Sequence, residues 1–278
     1  MKSYSELVEE ELARSHTIKC GTVRAYILSA RRRGEEIADL LGSRTALEGK
    51  RALDVGTGDG GAAIALSGRG CSVTAFDNSW GNLLRARQLA RESGVNPSFV
   101  VMDAEHAGLA PRRFDLIILA DVLEHVANPD KVIRIVAESM KPGAICYVTV
   151  PNRLSPWNVL REQHYHLFGL SLMPQWLASF YVTRVRKRSR IYALRSSFSW
   201  RSLKRLLAMR GIELASCGEL RTVKRLDKPE LLIDPAQRFL VKVVAVMRLK
   251  PLAKALFHTR LYQQFLAPVF VCVGRKKR

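Results

Sequence analysis

The run Leu53-Asp-Val-Gly-Thr-Gly-Asp-Gly-Gly61 holds most of the chemistry legible in this chain. Glycines between an apolar segment and a helix expose backbone N–H groups and let a ligand approach the main chain closely. Gly56, Gly58 and Gly61 satisfy the G-x-G-x-x-G spacing of dinucleotide sites, while Gly56, Gly58 and Gly60 satisfy the shorter G-x-G-x-G. Asp54 separates the two readings. A strand that leads to a pyrophosphate normally carries an apolar residue there, whereas a ligand bearing sulfonium and ammonium groups is drawn to a carboxylate. An NAD-dependent oxidoreductase is therefore the weaker reading. About twenty residues after the loop, Asp77 ends a second apolar run and can accept both hydroxyls of a ribose. His164 and His166 carry a side chain whose unperturbed pKa suits deprotonation of a hydroxyl near neutral pH.

These groups need elements to hold them. Apolar runs over residues 71–76, 99–102, 114–119 and 144–150 read as strands following the one that carries Asp54. Ser79 reads as the N-cap of a helix whose stripe begins with Trp80, Leu83 and Leu84. A further helix is expected over residues 131–140, then a turn at Pro142-Gly143. Trp200, Leu203, Leu206 and Leu207 follow helical spacing up to Gly211, with strands expected over residues 211–217 and 268–274. Alternating strands and helices predict an α/β fold with a doubly wound, mostly parallel, seven-stranded sheet and helical insertions in the C-terminal half. Ligands of such sheets bind outside the carboxyl ends of the strands, where these acids and glycines fall. Asp115, inside the start of a strand, reads as structural. Three regions follow: a helical cap over residues 1–49, with residues 24–41 helical; a core over 50–152; and residues 153–278, with insertions over 153–198 and 220–266.

From residue 53 to 152 the chain resembles the class I S-adenosylmethionine (SAM) methyltransferases, in particular the ubiquinone-biosynthesis O-methyltransferases. The resemblance implies a SAM site built from Asp54, Gly56, Thr57, Gly58, Gly60, Asp77, Asn78, Asp103, Ala104 and Ala120. Asp103 would take the adenine amino group, with the Ala104 N–H nearby. Asp121-Val-Leu-Glu-His125 resembles the E-x-x-E-H segment of those enzymes and of small-RNA terminal 2′-O-methyltransferases, with Asp121 in place of the first glutamate. It implies a divalent metal such as Mg held by Asp121, Glu124 and His125, completed by a later histidine, His164 or His166. Without a metal, the catalytic candidates are His164, His166 and His125, the first two as general base. Trp157, Tyr165 and Phe168 are candidates to line an apolar acceptor pocket or to pack the insertion.

The 278 residues, 47% hydrophobic, can fill a sizeable core. Cys20, Cys71, Cys146, Cys217 and Cys272 show no C-x-x-C pair, so they read as small buried residues rather than a disulfide frame or zinc site. There is no secretory h-region, and no run reaches the roughly 18 apolar residues of a spanning helix. A cytoplasmic location, peripheral to the inner face of the membrane, is expected. Residues 1–150 carry 19 basic and 19 acidic side chains, while residues 151–278 carry 26 and 6, so the whole +20 lies in the second half. That asymmetry predicts an anionic partner. Residues 239–249 and 252–257 are apolar runs interrupted by Lys242, Arg248 and Lys254, and residues 167–181 bring aromatics up to the cluster Arg184–Arg190. Short basic apolar helices suit a membrane interface. Tyr192, Phe198 and Trp200 among basic residues leave nucleic acid as the second choice. The expected activity is SAM-dependent O-methylation of a hydroxyl on a lipid-linked acceptor, a quinol precursor or a glycolipid sugar. RNA methylation and a non-catalytic SAM-binding regulator are the alternatives.

Overall fold

Strand β1 (Arg51–Val55) sits at the middle of the sheet because both its faces are apolar, with Ala52, Leu53 and Val55 almost wholly enclosed. A computed structural model of the chain describes residues 2–14, 21–189, 192–216, 226–232 and 235–277. Helix α1 (Tyr4–Arg14), α2 (Gly21–Leu28) and α3 (Ala30–Gly42) precede the sheet. After β1 come α4 (Gly61–Ser67), β2 (Ser72–Asp77), α5 (Trp80–Glu92), β3 (Ser98–Val101), β4 (Phe114–Ala120), α6 (Pro129–Ser139) and β5 (Met140–Pro151). Then follow α7 (Pro156–Leu160), α8 (Gln175–Phe180), α9 (Trp200–Ala208), β6 (Ile212–Ser216), α10 (Pro235–Val246), α11 (Lys250–Phe257) and β7 (Val269–Lys276).

The seven strands lie in the order β3-β2-β1-β4-β5-β7-β6, all parallel through β5, with β7 antiparallel to both neighbours. The order reverses at β1 and β4, which opens a crevice at their carboxyl ends. Alternate residues feed two cores. Leu53, Ile117, Leu119, Cys146 and Val148 meet α6 and α9 on one face, while Ala52, Leu116, Ile118 and Ile145 meet α3 and α4 on the other.

Several expectations hold in detail. Leu203 and Leu207 of α9 are fully enclosed, and Trp200 stacks on Phe270. Ser79 caps α5, its hydroxyl accepting from Asn82 N–H. Asp115 is structural: it accepts from Lys141 Nζ at 2.8 Å and from Arg51 N–H at 3.0 Å. Cys71, Cys146 and Cys272 are buried free thiols; Cys20, Cys217 and Arg190 lie outside the described residues.

Others are corrected. The helix expected over 24–41 is broken at Ser29, whose hydroxyl donates back to Tyr26 O and ends α2. The Pro142-Gly143 turn is an irregularity inside β5: Met140 already pairs with Phe114, and the register resumes at Ile145 opposite Leu116. Trp80 and Leu84 do not share the buried face of α5, which runs through Leu83, Ala86, Leu89 and Ala90; both are exposed.

Candidate active site

The glycine loop leaves β1 in a left-handed course, with φ of 61°, 56° and 77° at Gly56, Gly58 and Gly60. A Cβ built on Gly58 meets no atom within 4 Å, so the loop faces open space there. Gly61 has a different duty: a Cβ on it would lie 2.1 Å from Ala30 O, so it permits α3 to cross α4 closely. Asp54 turns inward beneath the loop and accepts from Thr57 Oγ1 at 2.6 Å. Burial without a counter-charge raises its pKa to about 7, against the lowering effect of the Thr57 and Ala63 hydrogen bonds. Asp59, at the tip, is fixed by Arg85 Nε at 2.8 Å and by the Tyr4 hydroxyl at 3.1 Å, which ties α1 and α5 to the loop.

Asp77 closes the loop from β2. Its Oδ2 accepts from Gly58 N–H at 2.9 Å, and its Oδ1 accepts from Ser79 N–H and Asn82 Nδ2. Oδ2 keeps a lone pair for a ribose hydroxyl, while Oδ1 already accepts twice. Asn78 beside it is exposed. After β3, the Asp103 carboxylate accepts from His106 Nδ1 at 2.8 Å and from Glu105 N–H at 2.9 Å, which hold it below the usual carboxylate range. Ala104 opens the short turn that follows. All of these lie at the carboxyl ends of β1, β2 and β3, as the sequence requires of a nucleoside site. The open Gly58 face and the flanking carboxylates fit SAM, whose ribose and cationic amino-acid end need those partners.

At the end of β4, Ala120 and Asp121 border a cleft of about 220 Å³ beneath α3. Asp121 takes φ of 58°, and its carboxylate accepts from Thr149 Oγ1 at 2.8 Å and from the Tyr26 hydroxyl at 3.0 Å. Glu124, His125 and His164 come together instead, each offering a ligand atom within 4.8 Å of the others. Asp121, expected in that set, points to Thr149 and Tyr26. His166 also falls outside it; there φ of 56° turns the chain, and the His166 N–H donates to Glu162 O at 2.8 Å.

Both histidines are held by Nδ1. His164 Nδ1 lies 2.8 Å from the Glu162 carboxylate, and His125 Nδ1 lies 3.3 Å from Ala193 O. An acceptor at Nδ1 puts the proton there and leaves Nε2 able to bind a cation or take a proton. Desolvation and the neighbouring His164 push the His125 pKa down. Glu124 is 2% exposed, and neither carboxylate oxygen has a hydrogen-bond partner among the described residues. Burial, with Asp121 nearby, raises its pKa well above the usual value.

Sequence reading missed Glu162, Tyr26 and Thr149. Glu162 accepts from the His164 and Tyr165 N–H groups as well as the imidazole. Its only signal in sequence was its place two residues before His164. Of the proposed pocket aromatics, Tyr165 packs the insertion against Tyr192, and Phe168 is exposed, while Trp157 is half-buried on α7.

The fold and site define a class I SAM-dependent methyltransferase. The family described as "Methyltransferase domain" matches residues 29–216, and the chain belongs to it. Ubiquinone biosynthesis O-methyltransferases are similar: that of Azoarcus sp. (strain BH72) is 34% identical over 116 residues, 41% of this chain and 50% of the relative. That of Marinobacter nauticus is 38% identical over 117 residues, 40% of this chain and 48% of the relative. The chain therefore spans about half the length of these relatives. Among solved structures, a SAM-dependent methyltransferase from Mesorhizobium loti has a TM-score of 0.54 at 15% identity, covering 87% of this chain and 98% of its own. Magnesium protoporphyrin IX methyltransferase from Synechocystis PCC 6803, with bound SAH, has a TM-score of 0.52 at 18% identity, covering 75% and 84%. Both share the fold.

Proposed function

We propose that this methyltransferase acts on a hydroxyl of a lipid-linked acceptor at an anionic membrane surface, with a polyprenyl quinol precursor or a glycolipid sugar as the candidates. The observation that carries the reading is the Glu124–His125–His164 cluster directly beyond β4, two histidines with Nε2 left free beside a buried acid. SAM supplies an electrophilic methyl on a sulfonium. The acceptor oxygen attacks in line, the C–S electron pair stays with sulfur, and the hydroxyl proton goes to His164 Nε2. Glu162 orients that imidazole through its hydrogen bond to Nδ1. The same three side chains suit a divalent cation: two imidazole nitrogens and a carboxyl group with no hydrogen-bond partner among the described residues. Such an ion would lower the pKa of a coordinated hydroxyl.

The membrane part draws on the C-terminal helices. None of residues 237–266 of the described chain is fully buried, and Phe239, Val246 and Leu252 are 70%, 83% and 68% exposed. Arg238, Lys242, Arg248, Lys250 and Arg260 lie among them, and no acidic residue follows Asp234. No described helix is long and apolar enough to cross a membrane. Basic, apolar, short helices lie well in a headgroup boundary.

The test is flotation with phosphatidylglycerol-containing vesicles, with tRNA as competitor, followed by transfer from methyl-labelled SAM into extracted lipid. Flotation that survives tRNA, with label in the lipid fraction as an ether, is the expected result. Failure to float, with salt-sensitive RNA binding and label in RNA, would replace this reading by RNA methylation. Equal turnover with and without a chelator would remove the metal while leaving His164 as base.

A further inference from the structure

A second cavity lies beside the Glu124–His125–His164 cluster, walled by the end of β5 and by the loop over residues 192–197. Glu124 marks where it meets the cluster, and Arg153, Ser171, Tyr192 and Arg195 line it. Its volume of about 70 Å³ has room on the order of five waters, enough for a carboxylate or phosphate and too small for a polyprenyl chain.

The polar groups of this cavity are poorly matched to one another. Arg153 Nε and Ser171 Oγ are buried and have no hydrogen-bond partner among the described residues. Among the described residues the Arg153 side chain otherwise donates to Leu172 O alone, at a long 3.4 Å. Buried donors left unmade are costly, which marks this as a place built for a further acceptor. Glu162, the other carboxylate of the wall, is committed to His164 and to two backbone N–H groups. Arg195 is fixed beside the cluster by the backbone: its N–H and that of Ser196 donate to Glu124 O at 2.7 and 3.1 Å. The Arg153 guanidinium and the Ser171 hydroxyl thus stand in the wall of a small cavity that Arg195 also lines, with the histidines next to it beyond Glu124. Guanidinium forks recognise planar carboxylates and phosphates in preference to neutral groups.

We propose that this cavity is a subsite for an anionic substituent of the acceptor, a phosphate or a carboxylate held by Arg153, Arg195 and Ser171, which sets the methylated hydroxyl at the histidines. The inference rests on the hydroxyl-methylation reading and narrows it to acceptors that carry an anion near the reacting oxygen. A diphosphate-linked sugar and a carboxylated phenol share this chemistry.

Binding, not turnover, tests it, so its failure is distinct from failure of the wider reading. Inorganic phosphate, catechol and 3,4-dihydroxybenzoate are titrated by calorimetry into the full chain saturated with S-adenosylhomocysteine. Phosphate is expected to bind, and 3,4-dihydroxybenzoate to bind at least tenfold more tightly than catechol. Arg153→Met with Arg195→Met is expected to weaken phosphate at least tenfold and to erase the difference between the two phenols. SAM affinity should be unchanged, which also reports that the variant is folded. Arg186→Met, at an exposed position, serves as the control and should change nothing. Phosphate bound equally well by the double variant, or no preference for the carboxylated phenol together with no phosphate binding, overturns the proposal. Phosphate displaced by 3,4-dihydroxybenzoate supports a carboxylate source, and phosphate displaced only by glycerol phosphate supports a lipid headgroup.

Discussion

Asp54 shows how one residue links the ligand site to stability. Its carboxyl is 2% exposed and carries a pKa raised to about 7, so the folded chain holds a proton that the unfolded chain releases near pH 4. Its contribution to stability is therefore full below the unfolded pKa and is lost as pH rises towards 7. Asp54→Asn should flatten the fall of the denaturation midpoint between pH 4 and 7, a change of roughly 2–4 kcal/mol across the window. An unchanged slope in chemical denaturation would assign the pH dependence to other groups. Gly58→Val acts on the ligand instead. It places a branched side chain in open space at φ of 56°, so SAM affinity should fall at least a hundredfold in calorimetry. The backbone strain should cost only about 1–2 kcal/mol of stability. Glu162→Gln should lower kcat about 10- to 100-fold through the mis-set imidazole of His164 and leave the Kd for SAM unchanged. A matching loss of SAM binding would show that Glu162 shapes the loop rather than the base.

At the scale of elements, the N-terminal helices are part of the site and not a detachable cap. Tyr4 of α1 reaches Asp59, and Tyr26 of α2 reaches Asp121, with the Arg33 guanidinium 3.6 Å over the Tyr26 ring. Removing residues 1–28 should expose the Asp59–Arg85 pair and weaken SAM at least tenfold, measured by equilibrium binding. The helices α10 and α11 are the opposite case, for they bury little and add nothing to the two sheet cores. Phe239→Asp with Leu252→Asp should abolish flotation on phosphatidylglycerol vesicles yet shift Tm by no more than about 2 °C, since exposed side chains contribute little to folding. A large drop in Tm would mean that these helices close a core.

At the scale of the whole molecule, a near-neutral half built around the SAM site is joined to a half that carries the net charge of +20. What the sequence settled by itself was what neighbouring residues decide together. The glycine loop, the strand-end acids Asp54, Asp77 and Asp103, the capping Ser79 and the stripe of α9 are local patterns whose spacing fixes their geometry. Asp115 could be set aside as structural from its place at a strand start, although its partners, Arg51 N–H and Lys141 Nζ, come from the neighbouring strands. Only the tertiary structure chose among distant candidates. Asp121 stood in the expected ligand position along the chain, but a left-handed backbone turns it to Thr149 and Tyr26. His164, not His166, meets His125, because the Glu162 carboxylate holds the His164 imidazole by Nδ1 beside it. The Arg153–Arg195 cavity likewise exists only where a loop far along the chain is hydrogen-bonded to Glu124 O and, through Phe198 O, to the Arg153 N–H that follows β5. Side-chain direction and long-range closure have no periodic trace in a sequence, since they follow from packing that many residues settle at once.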